Sequence, residues 1–320
     1  MKSFQYVTAT SPASARQLLG DNGRYLSGGI DLLGQMKEYL AEPKVLVNVK
    51  ELPGLNKIES GDKVWTLGAN VTISQLEDDA GIKKVFPGIQ QAAAEVGSRQ
   101  IRNVATVGGN LAQHSRCWYY RHRDVLCLKK GGDMCFARHG DNRYHSLFTG
   151  NTCISPVVSN LAIIFAVLDA VAIVQRGDKP LRMTMAELYA EAWRNPEAHN
   201  SLEPGDLILK IEVPIQKRRS SYLQMSAKSQ FDWALVSCAA AANLDGDKLA
   251  QPSVALGAVG NVPYQVKAAD ELLEGKVLDD ALANKAADVL LEKAHVQTDN
   301  GYKLPIARAL IRRALMQLKA

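Results

Sequence analysis

Residues 101–111 read Ile101-Arg102-Asn103-Val104-Ala105-Thr106-Val107-Gly108-Gly109-Asn110-Leu111, and the stretch from Thr106 to Cys153 holds four of the five cysteines: Cys117, Cys127, Cys135 and Cys153. Between Arg116 and Arg143 seven Lys or Arg (Arg116, Arg121, Arg123, Lys129, Lys130, Arg138, Arg143) face three acids (Asp124, Asp133, Asp141), a surplus of four in a chain of net charge +5. Four of the six histidines, His114, His122, His139 and His145, fall here as well. Chemistry is concentrated in one loop-rich segment, and the rest reads as scaffold.

The 320 residues suffice for two domains, or one with a subdomain, each with its own core. Outside the Arg116–Arg143 stretch 31 basic residues balance 30 acidic ones. A general nucleic-acid or membrane-surface binder would spread basic charge over a face or helix, so neither is expected. The most apolar run, 161–174, contains Asp169 and is too short to span a bilayer. The N-terminus, Met-Lys-Ser-Phe-Gln-Tyr, lacks the apolar run of a signal peptide. Clustered cysteines in such a chain argue for metal or redox ligation over a disulfide framework. The cytoplasm is the expected compartment, with a periplasmic complex exported alongside a partner left open.

Upstream, Tyr25-Leu26 ends a strand, Ser27-Gly28-Gly29-Ile30-Asp31 turns, and Leu32, Leu33, Met36 and Leu40 recur at helical spacing. A strand, two small residues and a helix start gather backbone N–H groups at one point, which suits a phosphate. The glycine pair reads equally as an ordinary turn. No G-x-G-x-x-G is present, so a Rossmann fingerprint is absent. Gly108-Gly109 reads as a second such turn, and the two could clamp the phosphates of one dinucleotide.

Strands are expected at 4–7, 45–49, 64–69, 170–175, 207–213, 221–228 and 253–259. Helices are expected at 13–19, over about ten residues after Thr72, and at 86–96, 159–168, 183–192, 265–273, 278–294 and 306–319. Residues 233–244 are too alanine-rich to assign. The basic run Lys217-Arg218-Arg219 marks a boundary between domains 1–216 and 217–320.

The cysteines are separated by nine, seven and seventeen residues. Close C-x2-4-C pairs of zinc sites and the usual ferredoxin runs are both missing. Four unrelated cysteines therefore remain a reading of the spacing alone. Four thiolates around a [4Fe–4S] core leave a dianion that the basic surplus would neutralise. A four-cysteine zinc site carries the same charge, so charge does not separate the two; the lack of close pairs weighs against zinc. Cys238, among small apolar residues, reads as a buried hydrophobe. His114, nearest the second glycine pair, is the histidine closest to the expected chemistry.

Taken together, these residues resemble the FAD-binding medium subunit of the xanthine dehydrogenase, or molybdenum hydroxylase, family. The markers are Ser27 to Leu33, Leu67-Gly68-Ala69, Ile101 to Leu111, Ser226-Ala227-Lys228, Phe231 to Ser237 and Val254 to Val259. The cysteine insert, about 114–153, is similar to that of a subset typified by 4-hydroxybenzoyl-CoA reductase and a bacterial aldehyde oxidoreductase.

The resemblance implies an α+β chain: a two-part FAD-binding domain of the p-cresol methylhydroxylase type, then a smaller α+β C-terminal domain like that of the CO dehydrogenase flavoprotein. It implies FAD held by Ser27, Gly28, Gly29, Ile30, Asp31, Leu32, Thr106, Gly108, Gly109 and Asn110, with Lys228 and Asp232 near the isoalloxazine. Asn160 stands where the family usually has Asp, which puts a ribose or adenine contact in question. A [4Fe–4S] cluster would sit on Cys117, Cys127, Cys135 and Cys153. No residue would act catalytically on an organic substrate. The partners implied are a molybdenum-cofactor large subunit and a small subunit with two [2Fe–2S] clusters, in a hetero-oligomer. The alternative is a self-contained flavin oxidoreductase acting on a small substrate.

Overall fold

The computed structural model describes residues 1–216, 218–229 and 231–319; Lys217 of the basic run and Ala320, the limits of the expected second domain, lie outside them. Strands Gln5–Thr8, Gly23–Leu26 and Val45–Asn48 form a parallel sheet with Val45–Asn48 in the middle. Its two crossovers carry the helices Pro12–Leu19 and Leu32–Lys37. Ser11 and Ser14 close a capping box at the first helix, with Pro12 pre-set for its first turn. Leu40 lies beyond the second helix.

A five-stranded antiparallel sheet follows, in the order Ile58–Ser60, Val64–Gly68, Leu207–Pro214, Val171–Arg176, Lys179–Thr184. The last strand is at the edge, where Pro180 is tolerated, and it takes Met183 away from the expected helix. That helix is Met185–Arg194, started by a Thr184–Glu187 capping box. The helix expected after Thr72 is two, Ile73–Asp78 and Ala80–Val85. Asp79 is extended between them, and its carboxylate caps Ile82 N at 2.8 Å. Gly108 and Gly109 are not a turn: they lie in the helix Val107–Ala112, capped by Thr106. These helices, with Pro87–Ala94 and Asn160–Val167, pack on the sheet as the largest core.

The third sheet is an antiparallel meander of Arg219–Ser226, Ala234–Asp245 and Lys248–Gly257. Its middle strand is the alanine-rich stretch the sequence left unassigned. Val236, Cys238, Ala240 and Ala242 face a core shared with the helices Asp280–Leu291 and Lys303–Gln317, while Ala239 and Ala241 face the first core. Burial on both faces removes the polar alternation by which a strand is usually read. The α+β class is the expected one.

Residues 113–159 have little regular structure: one helical turn, Trp118–Arg121, and two 3₁₀ turns, Leu128–Lys130 and Phe136–Arg138. The C-terminal part of the chain pins this segment. Asn261 Nδ2 donates to the carbonyls of Cys153 and Ser155, both at 2.9 Å. Asn300 Nδ2 reaches the carbonyls of His145 and Ser146 at 3.3 and 3.1 Å, and Tyr302 OH that of Arg143 at 2.7 Å. Leu147 and Phe148 enter the core beneath the last three helices. Among the described residues no helix is long and apolar enough to cross a membrane.

Asp270, on the helix Lys267–Leu273, accepts from Val254 N at 3.0 Å, and burial pushes its pKa up to about 7. A carboxyl whose folded pKa exceeds its unfolded value binds more protons in the native state, so its contribution falls as pH rises from about 4 to 7. Asp270→Asn keeps an acceptor and removes the charge. Urea midpoints of the variant and wild type should coincide near pH 4 and diverge in the variant's favour by pH 8; a pH-independent difference would contradict this.

Candidate functional site

A cavity of about 500 Å³ opens beside the loop after strand Gly23–Leu26, with walls from Ala69-Asn70, the helix Val107–Ala112 and residues 231–234. Ser27, Gly28, Gly29, Ile30, Asp31, Leu32, Thr106, Gly108, Gly109, Asn110, Asn160 and Asp232 all line it. Lys228 does not. It lines a neighbouring polar hollow with Arg99 and Arg102, and its N–H donates to Asp232 Oδ2 at 3.2 Å.

Ser27 Oγ donates to Asn70 Oδ1 at 2.8 Å and lies 3.1 Å from Thr106 Oγ1, while Asn70 Nδ2 donates to Val49 O at 2.6 Å. Three segments therefore meet at one point. A Cβ on Gly28 would stand 2.3 Å from Val104 O, so only glycine permits this approach, and Gly29 has φ +72°.

The two glycine pairs differ in what they offer. The N–H groups of residues 28–32 donate to no acceptor among the described residues. In the second pair every early amide is used: Val107 N on Val71 O and Gly108 N on Ala69 O, both 2.9 Å, and Gly109 N on Thr106 Oγ1 at 3.2 Å. The expected pair of equivalent turns is thus one donor loop and one packed wall. A Cβ on Gly109 would meet only Thr106 Oγ1 within 4 Å, at 3.1 Å, leaving the rest of a side chain on the cavity side. Asn110 Oδ1 accepts from Ser159 Oγ at 2.6 Å, and Asn160 Nδ2 donates to Gln224 Oε1 at 2.8 Å.

The Asp31 carboxylate is already committed. It accepts from Arg121 at 2.7 Å, His114 N and Gln35 Nε2 at 2.8 Å, and pairs with Arg116 at 3.0 Å. Burial alone would raise its pKa; Arg116, Arg121 and the His114 N–H outweigh burial and hold it below the usual carboxylate range. Arg116 also lies over the Trp233 ring, 4.5 Å from its centroid, at the cavity wall. His114 Nδ1 meets Tyr120 OH at 2.8 Å, and its ring stacks on His199 at 3.9 Å. Burial pushes the His114 pKa down to about 4 and that of His199 well down, so the stack is neutral.

One residue beyond Arg116, Cys117 begins the second centre. Cys117, Cys127, Cys135 and Cys153 line one small internal cavity with Lys129 and His145. The neighbouring Cys153 thiol and nearby backbone N–H groups lower the Cys135 pKa against the effect of burial. Cys135 and burial raise that of Cys153. Burial raises Cys117 to about 11. Lys129 Nζ donates to Ala198 O at 2.7 Å, and burial lowers its pKa against the pull of the cysteines. Cys238 is fully buried in the third sheet, within the C-terminal core, as the sequence suggested. Among the described residues no three or more His, Cys, Asp or Glu side chains take up the geometry of a single bound ion. A tetrahedral zinc would require sulfurs about 3.8 Å apart.

Sequence reasoning missed Asn70, His199 and the ring of Trp233 against Arg116. Asn70 directly follows Leu67-Gly68-Ala69 and could have been found there; His199 has no local signal.

Residues 2–216 match the FAD binding domain in molybdopterin dehydrogenase, and residues 220–318 the CO dehydrogenase flavoprotein C-terminal domain. The chain is 31% identical to the aldehyde oxidoreductase FAD-binding subunit PaoB of Escherichia coli, over 100% of this chain and 99% of that one. It belongs to the FAD-binding subunits of the molybdenum hydroxylase (xanthine dehydrogenase) family. The carbon monoxide dehydrogenase medium chain of Afipia carboxidovorans is a further relative, 25% identical over 99% of this chain and 97% of that one. A chain of the Cu,Mo-CO dehydrogenase structure shares the fold, with a TM-score of 0.77 at 23% identity over 99% of this chain and 98% of its own. The family binds FAD, and the cavity fits that cofactor in two respects: free amides at residues 28–32 and a glycine, Gly109, where a side chain would intrude.

In this family member Asp31 ties the cavity loop to the cysteine segment. Asp31→Ala would leave two guanidinium groups and a backbone N–H without their acceptor. It should lower stability by on the order of 3 kcal/mol, the scale for a mostly buried pair that loses one partner. Limited proteolysis should cut residues 114–124 first; an unchanged urea midpoint and digestion pattern would show that the contact holds nothing.

Proposed function

We propose that this chain is the electron-transfer subunit of a molybdenum hydroxylase-type oxidoreductase, holding FAD in the large cavity and a [4Fe–4S] cluster on Cys117, Cys127, Cys135 and Cys153. When bound, the two groups supply one- and two-electron redox chemistry between partner subunits and an external acceptor or donor. The partners are a molybdenum-containing large subunit and a small [2Fe–2S] subunit. The observation that carries the reading is that Arg116 lines the FAD cavity while its neighbour Cys117 lines the four-cysteine cavity.

The chain's own residues have separable tasks. The amides of residues 28–32 meet the anionic part of the dinucleotide, and Ser27, Asn70 and Thr106 fix that loop. Asn110, Asn160 and Asp232 form the walls. The four cysteines line one small cavity, and in a cubane each thiolate would bind a different iron. Lys129 supplies positive charge at that centre.

Two experiments test the reading. Gly109→Val should reduce flavin absorbance per folded chain about tenfold or more, a loss of roughly 1.4 kcal/mol or more in binding. Gly34→Ala, whose Cβ would meet nothing within 4 Å, should keep it. Full occupancy in Gly109→Val removes Gly109 from the cofactor wall. After anaerobic reconstitution, Cys127→Ser should lose iron and the broad absorption near about 400 nm, while Cys238→Ser keeps both. The reverse pattern would assign the ligands elsewhere.

A further inference from the structure

His145 touches the cysteine centre without being one of its four thiols. Its Nε2 lies 3.2 Å from Cys117 Sγ. Its Nδ1 is buried and has no hydrogen-bond partner among the described residues. Trp118 lies edge-on to the ring at 5.8 Å, and Tyr119 is tilted against it at 6.2 Å. The backbone is held as firmly: His145 N donates to Asn142 O at 2.8 Å, and Asn300 Nδ2 reaches His145 O at 3.3 Å. Asn142 Oδ1 in turn accepts from Asp299 N at 2.8 Å. The C-terminal part of the chain thus aims this ring at one sulfur.

A thiolate only accepts hydrogen bonds, so the ring can satisfy it only from a protonated Nε2. An N–H donor on a ligating sulfur withdraws charge from it and favours the more electron-rich, reduced state of the centre.

We propose that His145 is a positioning residue of the cysteine centre, donating from Nε2 to Cys117 Sγ and thereby raising the reduction potential of the cluster. The inference rests on the cluster reading above. Cys117 is also the cysteine next to Arg116 and the large cavity.

The test uses the reconstituted full chain with two variants. His145→Phe keeps a planar ring and removes the donor; His145→Gln shortens the side chain and keeps an N–H. Iron and FAD per chain are measured first, then the midpoint potential by redox titration followed by electron paramagnetic resonance. With iron and FAD at wild-type levels, the midpoint of His145→Phe should be more negative, and that of His145→Gln should lie between it and wild type. Equal midpoints in wild type and His145→Phe at full iron overturn the inference and leave the cluster reading standing. Loss of iron from both variants overturns it too, by making His145 a ligand or a structural necessity. A wild-type chain that takes up no iron overturns the cluster reading itself, before any variant is compared.

Discussion

One carboxylate holds two centres in place. Asp31 sits in the turn that lines the large cavity, and its oxygens receive two guanidinium groups and a backbone N–H from residues 114–121. A carboxylate so far out of water requires such partners; Arg121, which also donates to the carbonyls of Ser115 and His114, fixes the same loop a second time. The turn and the cysteine segment therefore cannot shift independently. The resemblance placed Asp31 among the cofactor contacts, and it does line the cavity. Its side chain, however, is spent on the neighbouring loop, so what remains for a ligand at this position is backbone.

The same bookkeeping revises the meaning of the basic surplus. Arg116 and Arg121 answer Asp31, Arg123 answers Asp124, and Arg143 answers Asp141. Lys130 and Arg138 bond to the carbonyls of His122 and Thr152 at 2.6 and 2.7 Å. Lys129 alone of the seven lines the cysteine cavity. Positive charge counted along the sequence is thus mostly used to order the loop; a smaller part faces the thiols. Neutral donors such as backbone amides and His145 take up the remaining work.

What could be read from the sequence follows from how local each signal is. Helix starts were legible where a capping side chain stands before an apolar run, as at Ser11 and Ser159. At Thr106 the same signal is present; a glycine pair favours a turn by propensity, and the cap and the packing override it. Asp79 split a helix that apolar spacing alone would have continued. The spacing of the cysteines did not reveal their convergence on one cavity, which only the resemblance implied, since it depends on loops pinned by Asn261, Asn300 and Tyr302, more than a hundred residues away in the chain. His199 is similar: its Nδ1 accepts from Ser115 N across 84 positions.

The alanines of the strand Ala234–Asp245 have a further effect. Their short side chains bring the largest core and the C-terminal core onto opposite faces of a single layer of backbone. Sheet faces normally keep neighbouring layers about 10 Å away; methyl groups allow less. The two halves of the chain therefore share a wall and do not merely adjoin. Heat or denaturant that opens one half exposes the other through that strand, so the subunit should come apart in one cooperative step, and the pinned cysteine loop would lose its anchor at the same moment.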